Sequence, residues 1–270
     1  MYYLDLCELF ISISYGVWRW MRRARLVRNP MHGRHARLHG MRLRETTLTD
    51  YIVLRLLESR TTRVIVSTVP PHLEAKQGAD LEIWFTHNRE QGFGLRAQCK
   101  ILGPNDEFEH LYYSSGNQQT PQHQLLINSV SNQKNIIPVY LLYSYLYNKK
   151  PKYICSYAFY RKYCYHRTGA WFMSAYKVKD LYAAKQKHKS IQQLLKYMIP
   201  WNCIVCNSPS MLYGQQFIEN IIENTINLGL SDGDRKLIGN LPSYVIRMFS
   251  DDTVESFDEY PSRHIVIIQV

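Results

Sequence analysis

Long apolar runs are missing from this 270-residue chain. The longest uncharged stretch near the start, Leu9 to Trp18, is too short to span a bilayer, and Asp5 and Glu8 precede it. The order of a signal peptide is missing too, because the basic residues follow the apolar part. A soluble cytoplasmic protein is therefore expected. Cysteine is sparse: six residues are scattered, and only Cys203 and Cys206 form a Cys-x-x-Cys pair. A structural zinc site needs four ligands. Cys155, Cys164 and His166 are the remaining candidates, but 201–206 reads as a buried strand, so free, reduced thiols are expected. Glycine (13) and proline (11) are too few for collagen, and 46% hydrophobic against 20% charged residues excludes wholesale disorder. No internal repeat or low-complexity tract interrupts the chain.

Positive charge is abundant and unevenly placed. The formal net charge is +11. Residues 1–44 hold nine Arg against Asp5 and Glu8 (+7), and residues 149–196 hold twelve basic residues against Asp180 alone (+11). Residues 45–148 carry −2, and residues 197–270 carry −5. Two basic blocks thus flank a nearly neutral middle, which fits a polyanion touching both flanks while chemistry occurs between them. Solubility alone is the competing explanation.

Hydrophobic spacing predicts helices over 1–26, 45–58, 122–130 and 214–226, with a Lys-rich helix inside 178–198. Strands are predicted over 63–69, 79–85, 95–102, 138–144, 201–206 and 263–270. The order helix, three strands, helix, strand indicates an α/β (α+β) fold with a mixed central sheet flanked by helices. The expected organisation is a basic helical segment (1–44), a core (45–144) and a basic, aromatic extension packed on it (145–270).

The chemistry-bearing residues fall in the core. Gly78-Ala-Asp80 leads into one strand, and Gln98-Cys-Lys100 lies in its expected hairpin partner. Side chains alternate along a strand, so Gln98 and Lys100 share one face while Ala97, Cys99 and Ile101 share the apolar other. Neighbouring strands lie about 4.8 Å apart, so a suitable register puts Asp80 beside Gln98 and Lys100. A carboxylate, an amide oxygen and a lysine fit a hard cation and a phosphate. Glu82 and Glu74 read equally well as surface residues.

These residues resemble the PD-(D/E)xK nuclease superfamily, in the variant with Gln-x-Lys that occurs in Mrr-type restriction endonucleases. The likeness covers about residues 45–144: a helix Glu (Glu45), a strand, Asp80 at the next strand, then Gln98-x-Lys100. The whole chain also resembles an uncharacterised bacterial family of unknown function, through Arg44-Glu-Thr-Thr-Leu-Thr-Asp50, Gly78-Ala-Asp80, Ala97-Gln-Cys-Lys100 and Pro138-Val-Tyr140. The nuclease resemblance implies a restriction-endonuclease-like fold and Mg²⁺- or Mn²⁺-dependent hydrolysis of phosphodiester bonds, in DNA restriction, repair or defence. It implies Asp80, the Gln98 amide oxygen, the Cys99 backbone carbonyl and Glu45 as metal ligands; Glu74 has no assured match in the family pattern but approaches the same strand and is a candidate further carboxylate. Lys100 would orient or deprotonate the attacking water. The neutral Gln98 removes one negative charge, which keeps open a nucleic-acid-binding module without catalysis. A component that binds an acidic protein is the third reading.

Gln124, on the helix after the hairpin, is expected to face this site or a phosphate backbone, or equally to lie on a polar outer face of that helix. Lys177, Lys179, Lys185, Lys187 and Lys189, interleaved with tyrosines, are the candidate phosphate contacts. DNA versus RNA and a homodimer are left open.

Overall fold

The computed structural model describes residues 3–28, 43–59, 63–68, 79–114, 120–145, 168–184, 189–206, 214–231, 237–250 and 261–270. Helix α1 (Tyr3–Arg28) is followed by α2 (Glu45–Leu57), then strands β1 (Arg63–Thr68), β2 (Leu81–Thr86) and β3 (Gln91–Ile101). Helix α3 (Gln122–Asn128) leads to β4 (Ile136–Tyr143), and β5 (Ala170–Ser174) runs into α4 (Ala175–Ala183). The short α5 (Ile191–Leu194), β6 (Ile199–Pro200) and α6 (Cys203–Cys206) precede α7 (Gly214–Asn227). Strand β7 (Gly239–Asn240), α8 (Ser243–Arg247) and β8 (His264–Gln269) complete the order.

The fold is a mixed α/β sheet of eight strands, ordered β1-β8-β2-β3-β4-β5-β6, with β7 paired to β3. The β2–β3 hairpin is antiparallel, whereas β3–β4 and β2–β8 are parallel. The last strand does not sit at an edge. β8 lies between β1 and β2, antiparallel to the former and parallel to the latter. Its sequence, His-Ile-Val-Ile-Ile-Gln, explains the position, because an unbroken β-branched run suits a strand covered on both faces. Strands from both sides of residue 144 therefore belong to one sheet.

Side-chain alternation divides the sheet into two unlike faces. Leu81, Ile83 and Phe85 of β2 join Phe93, Leu95, Ala97 and Cys99 of β3 in the main core, with Phe10, Ile13 and Val17 of α1, Ile52 and Leu56 of α2, and Phe217 and Ile221 of α7. The opposite face carries Trp84, which packs with Ile136, Tyr244, Val245, Ile265 and Ile267.

Close backbone approach seats α1. The Ser14 hydroxyl accepts from the Gly169 and Ala170 amides at 3.1 and 3.2 Å. A Cβ at Gly169 would stand 2.2 Å from the Trp18 nitrogen, so only glycine lets the helix come this near. Cys7 of α1 is disulfide-bonded to Cys206 of α6, 199 residues away. This corrects the expectation of reduced thiols, and the free cysteines among the described residues are Cys99 and Cys203. Residues 201–206 are likewise a turn and a helix rather than a strand. The strand stops after Pro200, and the chain turns so that Cys206 meets α1.

Glu82 is a second correction. It is fully buried, not a surface residue. Its Oε2 accepts from Arg96 Nε at 2.6 Å, and its Oε1 accepts from Trp84 Nε1 and the Tyr244 hydroxyl, each at 2.6 Å. Arg96 also donates to the Ser129 carbonyl at 2.6 Å. Burial pulls the Arg96 guanidinium down, but Glu82 overrides it and holds the pKa above the ordinary value. This network fastens α8 and the end of α3 to the sheet.

Two stability tests follow from these contacts. Cys206→Ser, or a reductant that opens the bond, is expected to cost about 2–4 kcal/mol, read as a lower denaturant midpoint. Glu82→Gln leaves a buried guanidinium without its counter-charge and is expected to cost about 3–5 kcal/mol in the same titration.

Candidate functional site

The polar end of the second sheet face carries the site. Asp80 sits just before β2 and is held by backbone on both sides: its N–H donates to the Ala97 carbonyl at 2.9 Å, and its carbonyl accepts from the His264 N–H at 3.1 Å. The register Leu81↔Ala97 puts Asp80 level with Gln98. Asp80 Oδ2 accepts from the Cys99 backbone N–H at 2.6 Å and from Gln98 Nε2. Gln98 and Lys100 are buried, at 4% and 7% exposure, so they are not a solvated strand face.

Lys100 lies within the electrostatic field of both acids. Burial pushes its ammonium below the ordinary lysine value, while Asp80 and then Glu45 pull it back up. Glu45 opens α2, where a carboxylate also favours the helix dipole. Its position is fixed one turn later. The Thr49 hydroxyl donates to the Glu45 carbonyl at 2.9 Å and shares a hydrogen bond with the Tyr143 hydroxyl at 2.9 Å. Tyr143 donates in turn to Cys99 Sγ at 3.3 Å. One chain of contacts therefore links Glu45 to the residue whose amide grips Asp80. The Cys99 side chain itself belongs to the core, and burial raises its thiol pKa far out of the reactive range.

Gln122, not Gln124, meets this cluster. Gln122 Nε2 donates to Gln98 Oε1 at 2.7 Å. Gln124 is turned outward, where its Nε2 donates to Asn128 Oδ1 at 2.7 Å. Helical spacing carried the signal. Gln122 lies one turn before buried Leu126, while Gln124 and Asn128 form the next pair on the outer face. Tyr140, register partner of Gln98 on β4, was also missed. Its fully buried hydroxyl has no hydrogen-bond partner, and burial and then Asp80 raise its pKa. Gln122 Oε1 and His123 Nδ1 are buried and unpartnered as well.

The donor set fits a hard cation in kind. It consists of two carboxylates, an amide oxygen and a backbone carbonyl, all oxygen. Among the described residues no three His, Cys, Asp or Glu side chains gather as a metal site, so an ion here would rely on Gln98, the Cys99 carbonyl and water. Amide orientation follows from the network rather than from the atoms themselves. Gln98 and Gln122, each rotated by half a turn, keep their mutual hydrogen bond while turning the Gln98 oxygen towards Asp80.

Of the candidate phosphate contacts, Lys179 is exposed on α4. Lys177 is half-buried with Nζ 4.7 Å from the Tyr197 ring centroid, and Lys189 is half-buried just before α5. Glu74, Lys185 and Lys187 lie outside the described residues, as do Cys155, Cys164 and His166. Arg25 of α1 pairs with Asp106 at 2.7 Å, which brings the basic end of that helix beside the loop after β3.

The chain belongs to a family of unknown function, DUF6615, which matches residues 6–269. No curated protein and no solved structure matches it. No helix among the described residues is long and apolar enough to cross a membrane.

Lys100 sets a pH-dependent test. Its folded pKa lies below the unfolded value of 10.5, so between the two the unfolded chain holds a proton that the folded chain has released. Unfolding free energy is therefore expected to rise with pH across that window, and the stability is lost as pH falls through the folded pKa. Lys100→Met removes this component. The difference between wild-type and variant denaturant curves, from neutral to alkaline pH, measures it.

Proposed function

We propose that this protein is a metal-dependent nuclease that hydrolyses phosphodiester bonds in nucleic acid. The observation that carries the reading is the convergence of Asp80, Gln98 and the Cys99 amide with a buried Lys100 that feels both Asp80 and Glu45. Asp80 and Glu45, with the Gln98 oxygen and the Cys99 carbonyl, are the groups that would hold Mg²⁺ or Mn²⁺. A divalent ion bound there would lower the pKa of water and neutralise phosphate charge.

The remaining roles belong to the chain's own atoms. Lys100 Nζ, with its proton loosened by burial, is suited to orient a water and to pass a proton while offsetting charge on the phosphate. Gln122 fixes the plane of the Gln98 amide. The Thr49–Tyr143–Cys99 contacts hold Glu45 and Asp80 at a set spacing, which matters because small displacements are costly in positioned chemistry. The Arg-rich end of α1 and Lys179 supply sequence-independent attraction for phosphates.

A second reading, a binding module on this scaffold, is motivated by the neutral Gln98. One assay separates the two. Purified protein is offered plasmid, linear and single-stranded DNA, and RNA, with Mg²⁺, with Mn²⁺ or with a chelator. The nuclease reading expects cutting that the chelator abolishes and that Asp80→Asn and Lys100→Ala each reduce at least ~100-fold, the scale of a lost electrostatic or acid–base contribution. Identical behaviour of wild type and Lys100→Ala on every substrate overturns it. Salt-sensitive binding without cutting selects the second reading.

A further inference from the structure

The unpartnered polar atoms beside the site belong to one continuous patch. Gln122 touches Gln98, and the next residue, His123, packs on Tyr182 of α4 with ring centroids 5.0 Å apart. Tyr182 packs in turn on Tyr112 at 5.9 Å. Tyr112 influences the ionisation of Tyr140, which stands beside Gln98 and feels Asp80. Tyr182, 36% exposed, is the rim of this run of neighbours. Lys179 stands near enough to His123 to lower its pKa, after the larger effect of burial.

Three features of this patch point to one ligand chemistry. Tyr140 and His123 are buried, at 0% and 3% exposure, and the Tyr140 hydroxyl, His123 Nδ1 and Gln122 Oε1 have no partner. Leaving such atoms unpaired costs about 1–3 kcal/mol each, so they are suited to a guest that pairs with them. Their chemistry is mixed: a hydroxyl that gives or takes, a ring nitrogen that does either, and an amide end that takes as oxygen or gives as NH2 when the Gln98 and Gln122 amides are rotated together. A phosphate offers acceptors alone, so it pairs only with donors, and it would meet the field of Asp80 unfavourably. A nucleobase edge offers donors and acceptors together, and its face suits the Tyr182 and Tyr112 rings.

We propose that this patch receives an unpaired nucleobase next to the hydrolytic site, with the base stacked on Tyr182 and its polar edge directed to Tyr140, His123 and Gln122, so that the preferred substrate is single-stranded nucleic acid. Tyr182 yields as the base enters, since its ring is the exposed member that covers His123. A base inside a duplex is already stacked and paired on its own edge, so it reaches this patch only by leaving the helix. The inference rests on the nuclease reading for its substrate class, yet it is tested by binding rather than cutting.

The test uses fluorescein-labelled oligonucleotides of one sequence with a chelator present, so that no strand is cut. They are single-stranded DNA, single-stranded RNA, duplex DNA, and single-stranded DNA with abasic sites. Single strands are expected to bind at least ~10-fold tighter than duplex, from the contribution of one stacked base. Tyr182→Ala is expected to abolish that preference, and Tyr182→Phe to keep it. Tyr182 is a partly exposed helix residue, and an unchanged unfolding curve verifies that the alanine variant folds. The DNA and RNA arms identify the sugar, and preference for either supports the proposal. An abasic strand that binds as tightly as the intact one, or a single-strand preference that survives Tyr182→Ala, overturns it. Tyr182-dependent single-strand binding without metal-dependent cleavage leaves the base site standing and removes the nuclease reading. Cleavage of duplex with no single-strand preference does the reverse.

Discussion

Asp80 is tied to the sheet at three points, and the site depends on that anchorage. Its amide reaches β3, its carbonyl is gripped by the first residue of β8, and its carboxylate accepts from the Cys99 amide. A side chain at the mouth of a strand would otherwise sample several rotamers. Here the backbone fixes its plane relative to Gln98. The insertion of β8 between β1 and β2 is what supplies the second tie. The last strand of the chain thus positions a carboxylate nearly two hundred residues earlier.

Two acids on the same strand face meet opposite fates. Glu82 is saturated by Arg96, Trp84 and Tyr244, with both oxygens used and no solvent nearby. It is a structural ion pair whose desolvation is offset by close geometry and by hydrogen bonds to each oxygen. Asp80, two residues earlier, stands where β2 begins and where solvent reaches. Lys100, whose ammonium feels Asp80, is itself destabilised by burial. An ammonium whose pKa is lowered by burial differs from a guanidinium fixed by Glu82, Ser129, Gln133 and Tyr244. The contrast separates an acid that holds the sheet together from one that the strand end leaves partly open to solvent.

Much of this was legible in the chain. The β-branched runs, the hairpin and the Asp80, Gln98 and Lys100 pattern follow from period-two alternation, which is local. Gln122 is separated from Gln124 by its spacing of one turn from buried Leu126, a signal that a helix of seven residues carries only weakly. Glu82 read as a surface residue because alternation assigns it to the face opposite the main core. That face is buried by α8, whose Tyr244 lies 162 residues later. Residues 201–206 read as a strand because an apolar run of six does not distinguish a strand from a buried helical turn.

Most local order, then, was written in the sequence: where most helices and strands form, which strand face is polar, and which residues carry charge. Those properties depend on neighbours a few positions away. The tertiary structure alone decided that β8 enters the sheet's interior, that Cys7 meets Cys206, that Gln122 meets Gln98, and that His123 packs on Tyr182. Each of these is a contact between distant segments, fixed by packing and sheet pairing, and no periodicity within either segment encodes it.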